Sequence, residues 1–142
     1  TVMVQKEAAR RLCAPMGSRE CGAVSGAVWY YSEPEVLFSV SRGSFLPAPK
    51  VDSAVIRLNV RQRPAVEARD PALLFAAIRG AFGNRRKTLE NSLSAALGRT
   101  KEQVGKALEE AGIAPGRRPE QLTLEQFARL ADRLAALEGP GD

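Results

Sequence analysis

Pro47 and Pro49, inside the run Gly43 to Leu58 (GSFLPAPKVDSAVIRL), restrict what this chain can fold into more than any other feature. Each proline fixes its own φ and pushes the residue before it, Leu46 or Ala48, towards an extended conformation, so the run is stiff and non-helical. Phe45, a large aromatic among Gly, Ser and Pro, is expected on that loop rather than on a packed face. Ala54 to Val60 then alternates, with Ile56, Leu58 and Val60 on one side and Val55, Arg57 and Asn59 on the other, the period of a half-buried strand. A braced loop holding an aromatic at the mouth of a sheet suits a binding site.

The rest of the chain divides at a polar stretch. Val2 to Val4 reads as a short buried strand and Lys6 to Ala14 as a helix closed by Pro15 and Gly17. Gly22 to Tyr31 reads as a second helix ended by Pro34, and Val36 to Val40 as a strand returning to the one after Phe45. Trp29, Tyr30 and Tyr31 suggest a stacking platform, but aromatics at a helix end belong more often to the core. Gln62 to Arg69 has no periodicity and is the expected linker. Beyond it the pattern is wholly helical. Asp70-Pro71 is an N-cap with proline at the first helical position, and Leu74, Ile78, Ala81 and Phe82 share a face. A helix from Arg85 to Leu97 is expected, with Leu89, Leu93, Ala96 and Leu97 inward and Gly98 at its end. Thr100 with Gln103 and Thr123 with Gln126 are capping boxes for two more helices. The first of these stops at Gly112, and the second carries the stripe Leu124, Phe127, Leu130, Leu134, Leu137. Residues 1–61, 62–69, 70–138 and 139–142 are thus expected as sheet part, linker, helical domain and frayed tail.

Composition narrows the chemistry. The 142 residues carry a net charge of +5 and no histidine, with a pI near 9.7. A basic balance favours an anionic partner, nucleic acid above all, against the plainer alternative of a merely basic protein. Without histidine there is no His-based acid/base chemistry and no usual zinc ligand, so no metal is expected. Cys13 and Cys21 lack CxxC spacing and read as incidental thiols of a reducing, cytoplasmic compartment. No membrane span or signal peptide is evident. The chain starts at Thr1 with a strand already under way, as expected for a piece of a longer protein.

The charge is clustered. Arg79 to Thr88 holds four cations and no acid, and Arg85, Arg86 and Lys87 fall at the expected start of a helix, against its dipole. Arg117 and Arg118, before the last helix, are candidates for the same face. Phosphate binding and a solvated basic helix start are equally consistent with the charge alone.

Together, GSFLPAPKVDSAVIRL and AFGNRRKTLENSL closely resemble the ribosomal RNA adenine dimethyltransferase family, whose corresponding runs are close to F-x-P-P-P-K-V-D-S-A-V-x-R-L and A-F-x-x-R-R-K-T-L-x-N-S-L. VMVQKEAARRL, the G-A-V-S segment and GIAPGRRPEQLTLEQFARLA resemble further family segments in family order, so the likeness covers nearly the whole chain. The resemblance implies an α/β part, the last three strands of a doubly wound, Rossmann-like class I methyltransferase sheet with flanking helices. The strand after the Phe45 loop would run antiparallel between the other two, and a small all-α domain would follow. It also implies S-adenosylmethionine as cofactor of the whole protein. None is expected on this piece, because the family's Gly-rich loop and N-L-P-Y-type motif lie upstream. Phe45 would stack on a target adenine flipped out for methylation, Pro47 and Pro49 would position it, and Arg79, Arg85, Arg86, Lys87, Arg117 and Arg118 would hold ribosomal RNA. The implied partner is small-subunit ribosomal RNA in an immature 30S subunit. Two departures stand out: Ala48 replaces the middle proline, and Glu90 sits where relatives often carry a base. The other readings are a non-catalytic basic RNA-binding module for ribosome assembly and a resistance-type relative acting on large-subunit RNA. The truncation implied by the resemblance is expected to leave an open sheet edge and an apolar face through which copies self-associate.

Overall fold

The computed structural model describes residues 1–41, 43, 51–83, 86–114 and 116–136. In chain order these give β1 (Val2–Gln5), α1 (Lys6–Cys13), α2 (Ala23–Tyr31), β2 (Ser32–Val40), β3 (Ser53–Val60), α3 (Pro71–Phe82), α4 (Leu89–Leu97), α5 (Lys101–Glu110) and α6 (Leu124–Ala136). The strands form one sheet in the order β1-β3-β2, with β3 antiparallel to both neighbours. This is the arrangement expected from the family resemblance.

β3 owes its central place to the pattern Ala54-Val55-Ile56. Ala54 and Ile56 are buried against Ala9, with Leu12 and Cys13 alongside, so α1 covers one face. The burial fades along the strand: Leu58 is 37% exposed and Val60 82%. The alternation therefore identified the strand but overstated its buried length, because α1 is only eight residues long. β2 starts earlier than its apolar run suggested. Pro34 lies within it, tolerated because β2 pairs on one side only among the described residues. Between Val36, paired with Ile56, and Phe38, paired with Val55, the register shifts and Leu37 is left over as a bulge. β1, expected to be buried, is mostly exposed.

The larger core joins both sides of the 62–69 stretch. Ala14, Met16, Cys21 and Tyr30 pack in the same cluster as Leu74, Ile78, Leu93, Leu108, Phe127 and Leu130. Phe75 meets Tyr30 edge-on at 5.1 Å and stacks on Tyr31 at 5.9 Å. Trp29 donates its indole N–H to the Cys13 carbonyl and packs against the core. Trp29 and Tyr30 are thus structural, and Tyr31 is the most exposed of the three, at 55%. Arg61 fastens the end of β3 to the carboxyl end of α2: its Nε donates to the carbonyls of Trp29 and Ser32, and its Nη1 to Glu33. The 62–69 stretch is itself pinned, by Ala65 N–H to the Tyr30 carbonyl and by Arg69 N–H to the Asp132 carboxylate.

Most helix ends follow the sequence signals. Asp70 caps α3 by accepting from the Leu73 N–H. Both capping boxes form, Thr100 with Gln103 and Thr123 with Gln126. Gly98 ends α4 at φ +64, where a side chain would be strained. Two mid-helix glycines make opposite demands. A Cβ on Gly80 would lie 2.7 Å from the Ala96 Cβ, so α3 and α4 need the bare backbone there. A Cβ on Gly105 would meet nothing closer than the Glu90 carboxylate at 3.8 Å.

Opposite signs of substitution follow. Gly80→Val should destabilise by about 1–3 kcal/mol through overpacking. Gly105→Ala should stabilise by up to about 1 kcal/mol through helix propensity. Urea unfolding of the two variants beside the parent checks both, and a neutral Gly80→Val would mean that the two helices are not in this contact.

Candidate nucleic-acid interface

Four of the expected cations gather at one end of the helical part by backbone design. α4 starts at Leu89 with Thr88 as N-cap, not at Arg85, so Arg86 and Lys87 precede the helix instead of occupying its first turn. The expectation that they oppose a helix dipole from within is thereby corrected. Thr88 is a better N-cap than any of the three cations, and Leu89 is the first residue of the buried face. The Leu89 N–H, one of the orphan donors of that first turn, reaches the Arg117 carbonyl at 3.3 Å. That bond lays the loop of Arg117 and Arg118 beside the segment of Arg86 and Lys87. All four side chains are exposed.

Arg79 lies on the last turn of α3, also exposed. It and Lys87 border an open groove of about 550 Å³ between α3 and α4, walled by Ala76, Gly80, Gly83, Ser92, Ala95, Ala96 and Leu97. Glu90, the acid in the basic run, does not enter that groove. Its carboxylate faces Gly105 on α5, so it weakens the cationic face less than its place in the sequence suggests. Phe45, Pro47, Pro49 and Arg85 lie outside the described residues.

One cation escaped the sequence reading. Arg11 on α1 borders a second groove of about 570 Å³ with Gly22, Ala23, Val24, Arg79, Phe82 and Gly83. Nothing local marks Arg11 out among the three cations of α1. Only the packing of α1 on α2 and of α2 on α3 brings it near Arg79.

Titration contributes little here. Burial pushes the Cys13 thiol up, and burial followed by the neighbouring Tyr31 pushes the Tyr30 phenol up; neither group is at the cationic face. Among the described residues no cluster of acids and thiols is arranged to hold a metal ion. No described helix is long and apolar enough to cross a membrane.

The carboxyl ends of the mutually parallel β1 and β2, where α/β sheets bind ligands, fall at Gln5 and Val40, both paired with Ser53. The Lys6 N–H donates to the Asp52 carbonyl at 2.9 Å on the same rim. A nucleoside cofactor would need a turn of backbone N–H groups between strand and helix. β1 instead passes into α1 without an intervening residue, so the described residues do not fit S-adenosylmethionine. On the sheet face away from α1, Met3, Val55 and Phe38 form a row across the three strands. Met3 is 53% and Phe38 56% exposed.

Comparison with known proteins gives a consistent result. The ribosomal RNA adenine dimethylase family matches residues 1–136. Relatives named ribosomal RNA small subunit methyltransferase A are 52% identical over 132 residues in Pelotomaculum thermopropionicum and 48% identical over 134 in Lachnoclostridium phytofermentans. These alignments take in 92% and 93% of this chain but 45% and 46% of the relatives, so the chain spans about half their length. Among solved structures, the 23S rRNA methyltransferase ErmE superposes with a TM-score of 0.63 at 28% identity, over 94% of this chain and 53% of its own. A dimethyladenosine transferase from Plasmodium falciparum superposes with a TM-score of 0.72 over 90% of this chain and 54% of its own; at 22% identity it speaks for the fold alone.

Proposed function

The chain belongs to the ribosomal RNA adenine dimethylase family, and on that premise we propose that it is the C-terminal part of an S-adenosylmethionine-dependent adenine-N6,N6-dimethyltransferase acting on small-subunit ribosomal RNA in the cytoplasm. In this reading the sheet part supplies the loop of Phe45, braced by Pro47 and Pro49, whose ring stacks on the target adenine. The helical part, from 70 onwards, docks on the RNA of an immature 30S subunit through Arg79, Arg85, Arg86, Lys87, Arg117 and Arg118. The methyl donor belongs to the half of the relatives' length that this chain does not span, so the 142 residues alone are inactive.

The observation that carries the reading is the bond from Leu89 N–H to the Arg117 carbonyl. It brings two cationic segments that are thirty residues apart in sequence onto one exposed face, as phosphate gripping requires. The names of the curated relatives favour the small-subunit substrate over the large-subunit one. The other reading, a non-catalytic RNA-binding module, draws on the direct passage of β1 into α1 without a cofactor-binding turn between them. The same cationic face serves both.

Three outcomes are expected. Replacing Arg86 and Lys87 by Gln should weaken binding of a ribosomal RNA hairpin and reduce the slope of log K against log salt by about 1.4–1.8, the share of two phosphate contacts; an unchanged slope in fluorescence anisotropy would reject the RNA-docking face. In a protein that also carries the methyl-donor half, Phe45→Ala should lower methyl transfer about 5- to 150-fold, the worth of one base stack, with the melting temperature unchanged; undiminished turnover would remove Phe45 from the adenine site. The open β1 edge and the row Met3, Val55, Phe38 should make this chain self-associate, as gel filtration across a concentration series will show. Lysine at positions 3 and 38 should return it to monomer, whereas a clean monomer of the parent chain at high concentration would contradict that role for the face.

A further inference from the structure

The groove between α3 and α4 differs from the rest of the cationic face. On that face Arg86, Arg117 and Arg118 are exposed. Here an open cavity of about 550 Å³, within the range of about 300–1,000 Å³ usual for small-ligand sites, separates Arg79 from Lys87. Neither side chain makes an ion pair with any described residue. The walls between them are Ala76, Gly80, Gly83, Ala95 and Ala96. The absence of a side chain on Gly80 keeps α3 and α4 close at Ala96, so the cavity has a floor. The one acid of the neighbouring run, Glu90, faces α5 instead.

A groove of this size, walled mainly by small apolar residues and bordered by two cations with no ion pair among the described residues, is too small to admit an RNA duplex. It matches a single unstacked nucleotide, whose base covers apolar wall while its phosphate takes the charge. We propose that this groove is a binding slot for one unpaired nucleotide of the RNA, with Arg79 and Lys87 on its flanking phosphates and the base against Ala76, Gly80 and Ala96. The slot rests on the RNA-docking reading above and deepens it: docking is then sensitive to RNA structure at a position remote from the methylated base. The mouth holds no aromatic ring, so selection is for an extruded nucleotide and not for a particular base.

The test uses this chain and two RNA hairpins that differ by one bulged nucleotide, with affinity read by fluorescence anisotropy. The parent chain should bind the bulged hairpin about tenfold more tightly than the fully paired one, a factor within the range of one ordered base contact. Ala95→Trp, at an exposed wall position, fills the slot without touching a cation. It should abolish that preference while leaving affinity for the paired hairpin in place. Ala76→Phe fills the slot from the α3 side and should do the same, with circular dichroism melts confirming that both variants fold. Equal binding of the two hairpins by the parent chain, or a preference that survives both fillings, overturns the slot. If the parent chain binds neither hairpin, the RNA-docking reading falls and the slot with it, which separates the two failures.

Discussion

Everything that positions the cationic face depends on one buried core shared by the sheet part and the helical part. Tyr30, at the end of α2, is 4% exposed and lies edge-on to Phe75 of α3, and Met16 and Cys21 pack in the same cluster as Phe127 and Leu130. The core fixes how α3 lies against α2. That in turn puts Arg79 beside Gly22–Val24 on one side and beside Lys87 on the other. Arg61 and Asp132 complete the fastening with hydrogen bonds to backbone groups of α2 and of the 62–69 stretch. The polar stretch 62–69 is therefore a strap held at both ends rather than a loose tether.

The sheet is divided in the same physical terms. On the face away from α1, the Arg57–Glu35 ion pair and the Asn59 amide bond to the Glu33 carbonyl lie along the β2–β3 ladder. Exposed pairs of this kind are at home in water and contribute little stability. Further along the same face the polar ladder gives way to Met3, Val55 and Phe38. Water is a poor solvent for that row, whereas the ladder beside it needs no cover. The boundary between the two marks how far a covering layer would extend: over β1 and the carboxyl end of β2, and no further.

Local signals in the sequence were readable wherever a single residue decides the backbone. Asp70, Thr100, Thr123, Gly98 and Gly112 each did so, and each marks a helix end in the structure. The order of the strands followed from the resemblance carried by GSFLPAPKVDSAVIRL, not from periodicity. What stayed hidden is tertiary. Nothing in the pattern Ile56, Leu58, Val60 says that α1 is too short to cover its last member. Nothing near Arg11 says that α2 and α3 will carry it towards Arg79. Arg85 to Lys87 look like helix by propensity, but the chain begins α4 at Leu89, the first residue of its buried face, with Thr88 as N-cap.

How cations are treated separates support from function. Arg61 spends its guanidinium on two backbone carbonyls and one carboxylate, and its side chain is only 23% exposed. Arg57 is held by Glu35 across the strand. Both belong to the sheet and both satisfy groups of the protein itself. Arg79 and Lys87 satisfy none among the described residues, although the carboxylate of Glu90, in the first turn of α4, is close in sequence and lies against Gly105 of α5 instead. Like charges bordering one groove, with no ion pair among the described residues, repel each other at a cost that salt reduces. The fold thus pairs Arg57 and Arg61 with groups of the sheet, whereas Arg79 and Lys87 border one groove with no ion pair among the described residues.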